Sequence, residues 1–127
     1  MKAHWKRRKP GERTAHEAAW GERLNVIAVG HVFEGVKLKL ADATFYTPDF
    51  MVMSHDGTIE FHEVKGSWKA PNQEKSRVKL KVAAEMFQWF TFKAIVATKK
   101  PKSDGGGWKF EIEVIGPGKE SDDGQSE

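Results

Sequence analysis

From Thr14 onward the hydrophobic positions follow first a helical and then a strand period. Thr14-Ala-His-Glu17 has the form of a capping box, and Trp20 and Leu24, four residues apart, continue it as a helix. Residues 25–29 are mostly apolar and β-branched, and they read either as the last helical turns or as a turn into a strand; Gly30 stops either one. Residues 32–40 (VFEGVKLKL) alternate as a strand, and residues 44–53 (TFYTPDFMVM) form a second, in which Pro48 implies an edge or a bulge. His55-Asp56-Gly57 is a tight turn, and residues 58–65 (TIEFHEVK) form a third strand that ends at Gly66. The three strands are expected to form an antiparallel meander. Asn72 can cap a second helix running to about Phe87, with an apolar stripe of Val78, Val82, Ala83, Met86 and Phe87. Residues 91–98 read as a buried strand and residues 108–115 (WKFEIEVI) as an alternating one, joined by a lysine- and glycine-rich loop over 99–107.

This order predicts an α/β (α+β) domain built as helix, three strands, helix, strand and strand around one mixed sheet. The helix after the third strand allows the fourth to lie parallel to an earlier one through a right-handed crossover. A chain of 127 residues fits one domain with its own core. The expected division is a flexible basic arm over 1–13, a single domain over 14–115 and a disordered acidic tail over 116–127. The tail, rich in Gly, Ser, Asp and Glu, has too little apolar surface to order itself.

Composition narrows the chemistry. The absence of cysteine excludes disulfides, thiolate zinc sites and cysteine nucleophiles. No apolar run approaches the roughly 20 residues that cross a bilayer, and the amino terminus has no signal-peptide pattern, so no membrane role and a cytoplasmic location are expected. Charge is uneven. Lys2, Lys6, Arg7, Arg8, Lys9 and Arg13 face only Glu12 in the first thirteen residues, and Lys65, Lys69, Lys75, Arg77, Lys79 and Lys81 face only Glu74 over 65–81. Two basic blocks point to a polyanion, because each neutralised phosphate releases a counterion.

The chemically informative stretch is Tyr46-Thr-Pro-Asp-Phe50 followed by Glu63-Val-Lys-Gly66, with thirteen residues between Asp49 and Glu63. Side chains alternate along a strand, so Glu63 and Lys65 share a face and Val64 points away. The turn at His55–Gly57 folds the preceding strand back and can bring Asp49 beside Glu63. Adjacent carboxylates are costly unless a cation joins them, and hard oxygen ligands suit magnesium, with manganese as a substitute. The backbone carbonyl of Val64, between the two functional side chains, is a candidate further ligand. Such a centre beside a lysine has the parts needed to hydrolyse a phosphodiester.

The run YTPDF, EVKG and Trp68 resembles the PD-(D/E)xK nuclease superfamily, and within it the phage endonuclease and Holliday-junction resolvase branch. The resemblance spans roughly residues 14–98. It implies a restriction-endonuclease-like core, metal ligation by Asp49 and Glu63, a catalytic role for Lys65, and Glu17 as the first-helix acid completing the site. Glu17 is also the third helical residue of the capping box, so the cap competes with the metal, and Glu22 is the substitute. The function implied is a magnesium-dependent DNA endonuclease selective for branched DNA and acting in recombination, for which a homodimer is the economical way to supply two sites. Lys6, Arg7, Arg8, Lys9, Trp68, Lys69, Lys75 and Arg77 are its candidate DNA contacts. The rival readings are a nuclease-fold module that binds DNA without cutting it and an RNA-binding module. His4, His16, His31 and His55 lack zinc-site spacing, and His62, on the strand face opposite Glu63, is expected to be a packed or surface residue.

Overall fold

Helix α1 (Ala15–Ile27) begins with both halves of a capping box: the Glu17 N–H donates to Thr14 Oγ1 at 3.0 Å and the Thr14 N–H donates to Glu17 Oε1 at 2.7 Å. The computed structural model describes residues 12–67 and 73–116. The basic arm before Glu12, the candidate cap Asn72, and the tail beyond Gly116 lie outside the described residues.

Seven strands follow: β1 (Gly30–Phe33), β2 (Leu38–Ala41), β3 (Thr44–Tyr46), β4 (Phe50–Met53) and β5 (Ile59–Lys65), then, after helix α2 (Gln73–Met86), β6 (Thr91–Lys99) and β7 (Trp108–Ile115). Five of them form a mixed sheet in the order β1-β4-β5-β6-β7. Only the β5–β6 pair is parallel, and α2 makes the crossover between its members. The α+β class with one mixed sheet and two helices is as expected from the hydrophobic pattern.

The first two expected strands are each broken in two, which corrects the simple meander. Glu34 takes a left-handed φ of 52° and ends β1, where the sequence pattern alone shows unbroken alternation. Pro48 has no N–H to give a ladder and separates β3 from β4. The freed segments β2 and β3 pair with each other as a separate hairpin, turned at Ala43 (φ 58°). Gly30 opens β1 rather than stopping a strand, because α1 has already ended, with the Ala28 N–H on the Leu24 carbonyl.

The sheet buries both faces. On one side Trp20 and Leu24 of α1 pack on Phe50, Val52, Val64, Ile95 and Ala97; on the other Leu80, Ala83 and Ala84 of α2, with Tyr46 of the hairpin, pack on Phe61, Phe92, Ala94 and Ile115. The buried stripe of α2 therefore differs from the expected one. Val78, Val82 and Met86 are 52%, 39% and 45% exposed. At about 100° per residue, Leu80 lies opposite Val78 and Val82, so only one of the two apolar faces can meet the sheet. Small Ala83 and Ala84 let α2 approach closely: a Cβ on Gly116 would collide with that of Ala84.

His62 is a packed residue, as expected, and the centre of a polar chain beneath α1. The Trp20 Nε1–H donates to its Nδ1 at 3.0 Å, so the imidazole proton is on Nε2 and donates to Glu60 Oε1 at 2.8 Å. Lys93 Nζ completes the chain 3.1 Å from Glu60. Burial pushes the His62 pKa down. Its folded pKa thus lies below the unfolded one, and the resulting stability is lost as pH falls below the unfolded value near 6.5. No helix among the described residues is long and apolar enough to cross a membrane.

Trp20→Phe leaves Nδ1 of His62 buried without a donor, and we expect a loss of about 1–3 kcal/mol in urea-unfolding free energy at pH 7. A loss confined to a few tenths would show that the indole contributes packing alone.

Candidate active site

The β4–β5 ladder reaches Phe50 opposite His62, and one step further in that register Asp49 stands across from Glu63. Beyond that point β5 has no backbone partner on the β4 side. Asp49 supplies one with its side chain: the Val64 N–H donates to Oδ2 at 2.7 Å. The Asp49 carbonyl is held in turn by the Glu34 N–H at 2.8 Å, so the carboxylate is fixed from two sides.

Glu63 is 5% exposed, an unusual burial for a carboxylate. Its two oxygens are occupied by different donors: the Tyr46 hydroxyl donates to Oε1 at 2.7 Å, and Lys65 Nζ lies 3.1 Å from Oε2. Alternation along β5 puts Glu63 and Lys65 on the α2 side, whereas Val64 packs under α1. Asp49, Glu63 and Lys65 are thus brought together at one end of the sheet.

Electrostatics follow from this crowding. Burial, then the charge of Glu63, raises the Asp49 pKa to about 9, with Glu17 adding to the rise and the Val64 N–H and Lys65 opposing it. Burial also raises Glu63, against the pull of Lys65 and Tyr46. The Tyr46 hydroxyl is held far above its ordinary value by burial and by the neighbouring carboxylates. Without a cation the carboxylate pair therefore retains a proton at neutral pH. This donor set fits a hard divalent cation: two carboxylates, with water completing the shell, is a common way of holding magnesium.

Next to the pair opens a cleft of about 540 Å³ lined by Thr14, His16, Glu17, Val64, Lys65, Gly66, Ser67 and Gln73; Lys65 reaches it, whereas Asp49 and Glu63 are not part of its lining. Glu17 reaches this cleft but is held in its cap, with Oε1 on the Thr14 N–H. Its charge still acts on both Asp49 and Glu63. Glu22 is exposed on α1 and does not line the cleft. Among the described residues no three acidic or histidine side chains form a metal-holding group.

Of the candidate DNA contacts, Lys6, Arg7, Arg8, Lys9, Trp68 and Lys69 lie outside the described residues. Lys75 lines an apolar groove between α2 and the β2–β3 hairpin, away from the cleft, and Arg77 is paired with Glu113 of β7 at 3.1 Å. Two neighbours of the site were not anticipated. Tyr46 is the chain's single tyrosine, and its signal was its place in a strand, where a buried hydroxyl must find a partner. His16 packs over Gly66, where a Cβ would come within 2.7 Å of its Nε2. Its ring also meets the edge of Trp108 at 5.4 Å.

No protein-family model matches the chain, and no curated protein or solved structure is similar to it.

A carboxyl whose folded pKa is raised loses stability as pH rises from its unfolded value near 4 to its folded value near 9. Asp49→Asn retains an acceptor for the Val64 N–H and removes that penalty. We expect it to raise Tm at pH 8 without divalent ions by about 5 °C, the gain shrinking toward pH 5. Magnesium should stabilise the parent protein at pH 8 and leave Asp49→Asn unchanged. Equal pH profiles for the two proteins, read by thermal unfolding, would refute the assigned carboxyl crowding.

Proposed function

We propose that the chain is a divalent-metal-dependent DNA endonuclease that hydrolyses phosphodiesters through activated water, without a covalent intermediate. The observation that carries this reading is the half-buried Asp49 set beside the buried Glu63, with Lys65 Nζ 3.1 Å from Glu63. Supporting it, α1, the antiparallel run β1-β4-β5, the crossover helix α2 and the parallel strand β6 follow the order that the resemblance to PD-(D/E)xK nucleases implies, with the β2–β3 hairpin as an addition.

Asp49 and Glu63 would hold the cation, with the Val64 carbonyl and Glu17 as further ligands; Glu17 would have to release the Thr14 N–H to serve. When bound, magnesium or manganese supplies positive charge for the phosphorane-like transition state and acidifies water. Tyr46 fixes one oxygen of Glu63 and so orients the carboxylate. Lys65, 21% exposed, presents its ammonium at the cleft, where it can hold a phosphate oxygen or the attacking water. The cleft is lined by the charged Glu17 and Lys65 together with His16, Gln73, Thr14 and Ser67, and recognition by DNA shape, as in a junction resolvase, follows from phosphate contacts better than from base readout. A homodimer would provide one site for each strand of such a substrate.

A second reading has its own observation. Glu63 is saturated by Tyr46 and Lys65, and Glu17 is held by its cap, as in a module that binds DNA without cutting it. Incubating the protein with branched, nicked and linear duplexes, in magnesium or in EDTA, separates the two. We expect cleavage in magnesium alone, fastest on branched DNA, and losses of at least roughly a hundredfold for Asp49→Ala and Lys65→Ala. If those variants cut as fast as the parent the assignment is wrong, and binding without cleavage supports the second reading.

A further inference from the structure

The β6–β7 hairpin belongs to none of the roles assigned so far. Because β5 and β6 are parallel, their carboxyl ends point the same way, and Lys65 pairs with Val96. The β6–β7 ladder continues past that level through Ala97, Thr98 and Lys99, the last opposite Trp108. At about 3.3 Å per residue the ribbon extends roughly 10 Å beyond Lys65, its base still packed under α1 through Ala97 and its outer part, from Thr98, exposed, before the turn is counted. The catalytic end of the sheet is thus overhung by a single two-stranded arm.

The arm's turn is defined. A one-turn 3-10 helix (Lys102–Asp104) is followed by three glycines with φ of 91°, 70° and 80°. The Asp104 and Gly106 N–H groups donate to the Pro101 carbonyl, and the Lys100 N–H donates to that of Gly107. A Cβ on any of the three glycines would meet open space, so they serve backbone conformation and leave the tip narrow. The base is registered to the site by contact: Trp108 meets the His16 ring, and His16 packs on Gly66, next to Lys65.

Charge distinguishes this arm from the rest of the sheet. Lys65, Lys93 and Arg77 are each matched to a glutamate, and even the exposed Lys109 lies 3.8 Å from Glu111. Lys99, Lys100 and Lys102 are exposed and make no ion pair among the described residues. Three unmatched ammonium groups on a projecting ribbon favour a polyanion running alongside it. Duplex DNA carries a charge per about 1.7 Å of axis, so a 10 Å arm passes about six phosphates. Its major groove, about 12 Å wide, also admits a two-stranded ribbon.

We propose that the β6–β7 hairpin is a DNA-backbone clamp that holds one duplex arm through Lys99, Lys100 and Lys102, setting the position of the phosphate presented to Asp49, Glu63 and Lys65. This rests on the nuclease reading for its geometry, while its binding contribution is measurable without cleavage. Lysine contacts to phosphate carry no base information, so the clamp fixes register along the duplex and not sequence.

The test compares the triple variant K99Q/K100Q/K102Q with the charge-matched triple K37Q/K39Q/K81Q, on parent chains of full length. Binding to a fluorescein-labelled duplex is followed by anisotropy in EDTA from 50 to 200 mM salt, cleavage in magnesium is followed in parallel, and circular dichroism confirms that each variant is folded. We expect the hairpin triple to bind at least roughly tenfold more weakly at 100 mM salt, with a salt slope shallower by about 2 to 3. The control triple should change both by much less. Equal losses in the two triples, or a hairpin triple that binds like the parent, would overturn the clamp. A parent that binds but never cuts, with the hairpin effect intact, would overturn the nuclease reading and leave the clamp standing. Failure of the parent to bind duplex DNA at all would overturn both.

Discussion

Strand β5 lies at the centre of the sheet with cores on both faces, yet it carries Glu60, His62, Glu63 and Lys65. Burying such groups costs several kcal/mol each unless they are paired and hydrogen-bonded, and much of the architecture answers that demand. On the α1 side the indole of Trp20 and the ammonium of Lys93 close a chain through His62 and Glu60. On the α2 side Tyr46 and Lys65 take the two oxygens of Glu63. The two faces differ in outcome. The first is a satisfied network with a neutral histidine at its centre, whereas the second leaves Asp49 and Glu63 in mutual repulsion.

That repulsion is built by ordinary structural means. The β4–β5 ladder ends at Phe50, and the Val64 N–H beyond that end is taken by the Asp49 carboxylate. The break at Pro48 frees β3 and the left-handed Glu34 frees β2, and the two pair as the hairpin that delivers Tyr46 onto Glu63. Two interruptions of strand pairing thus place one carboxylate beside another and supply the hydroxyl that orients it. Groups held by the backbone in this way would cost little reorganisation in holding the cation of the proposed function, which is the condition for strong electrostatic stabilisation. Glu17 occupies the opposite position: its cap bond stabilises α1 while its charge already acts on the site.

The parallel pairing of β5 with β6 extends these local effects to the scale of a substrate. It sends the carboxyl ends of both strands in one direction, and the α1 amino terminus meets them through His16. Carboxylates, lysine, cleft and basic ribbon therefore share one edge of the molecule. Proposals for chemistry and for binding point to the same edge from separate observations, one from buried acids and the other from unmatched surface charge.

Much was legible in the amino-acid pattern alone. β7 spans 108–115 as the alternation predicts, α2 and β6 differ from expectation by a residue or so, and the alternation of β5 places Glu63 and Lys65 on one face. These features depend on period and local propensity, which a sequence carries directly. What it did not carry depends on which of several local options the rest of the chain favours. Residues 32–40 alternate well enough for one strand and 44–53 read as another with an edge or bulge at Pro48, yet the left-handed Glu34 and the ladder end near Pro48 cut each in two. Helix α2 has two apolar faces, and only the sheet decides that Leu80, rather than Val78 and Val82, is buried. Tyr46 and Glu63 are seventeen residues apart and meet only because the hairpin folds over α2. The sequence by itself determined the elements and the acids and lysine available for chemistry; tertiary packing decided which of them are buried together, because desolvation and charge coupling act through space and not along the chain.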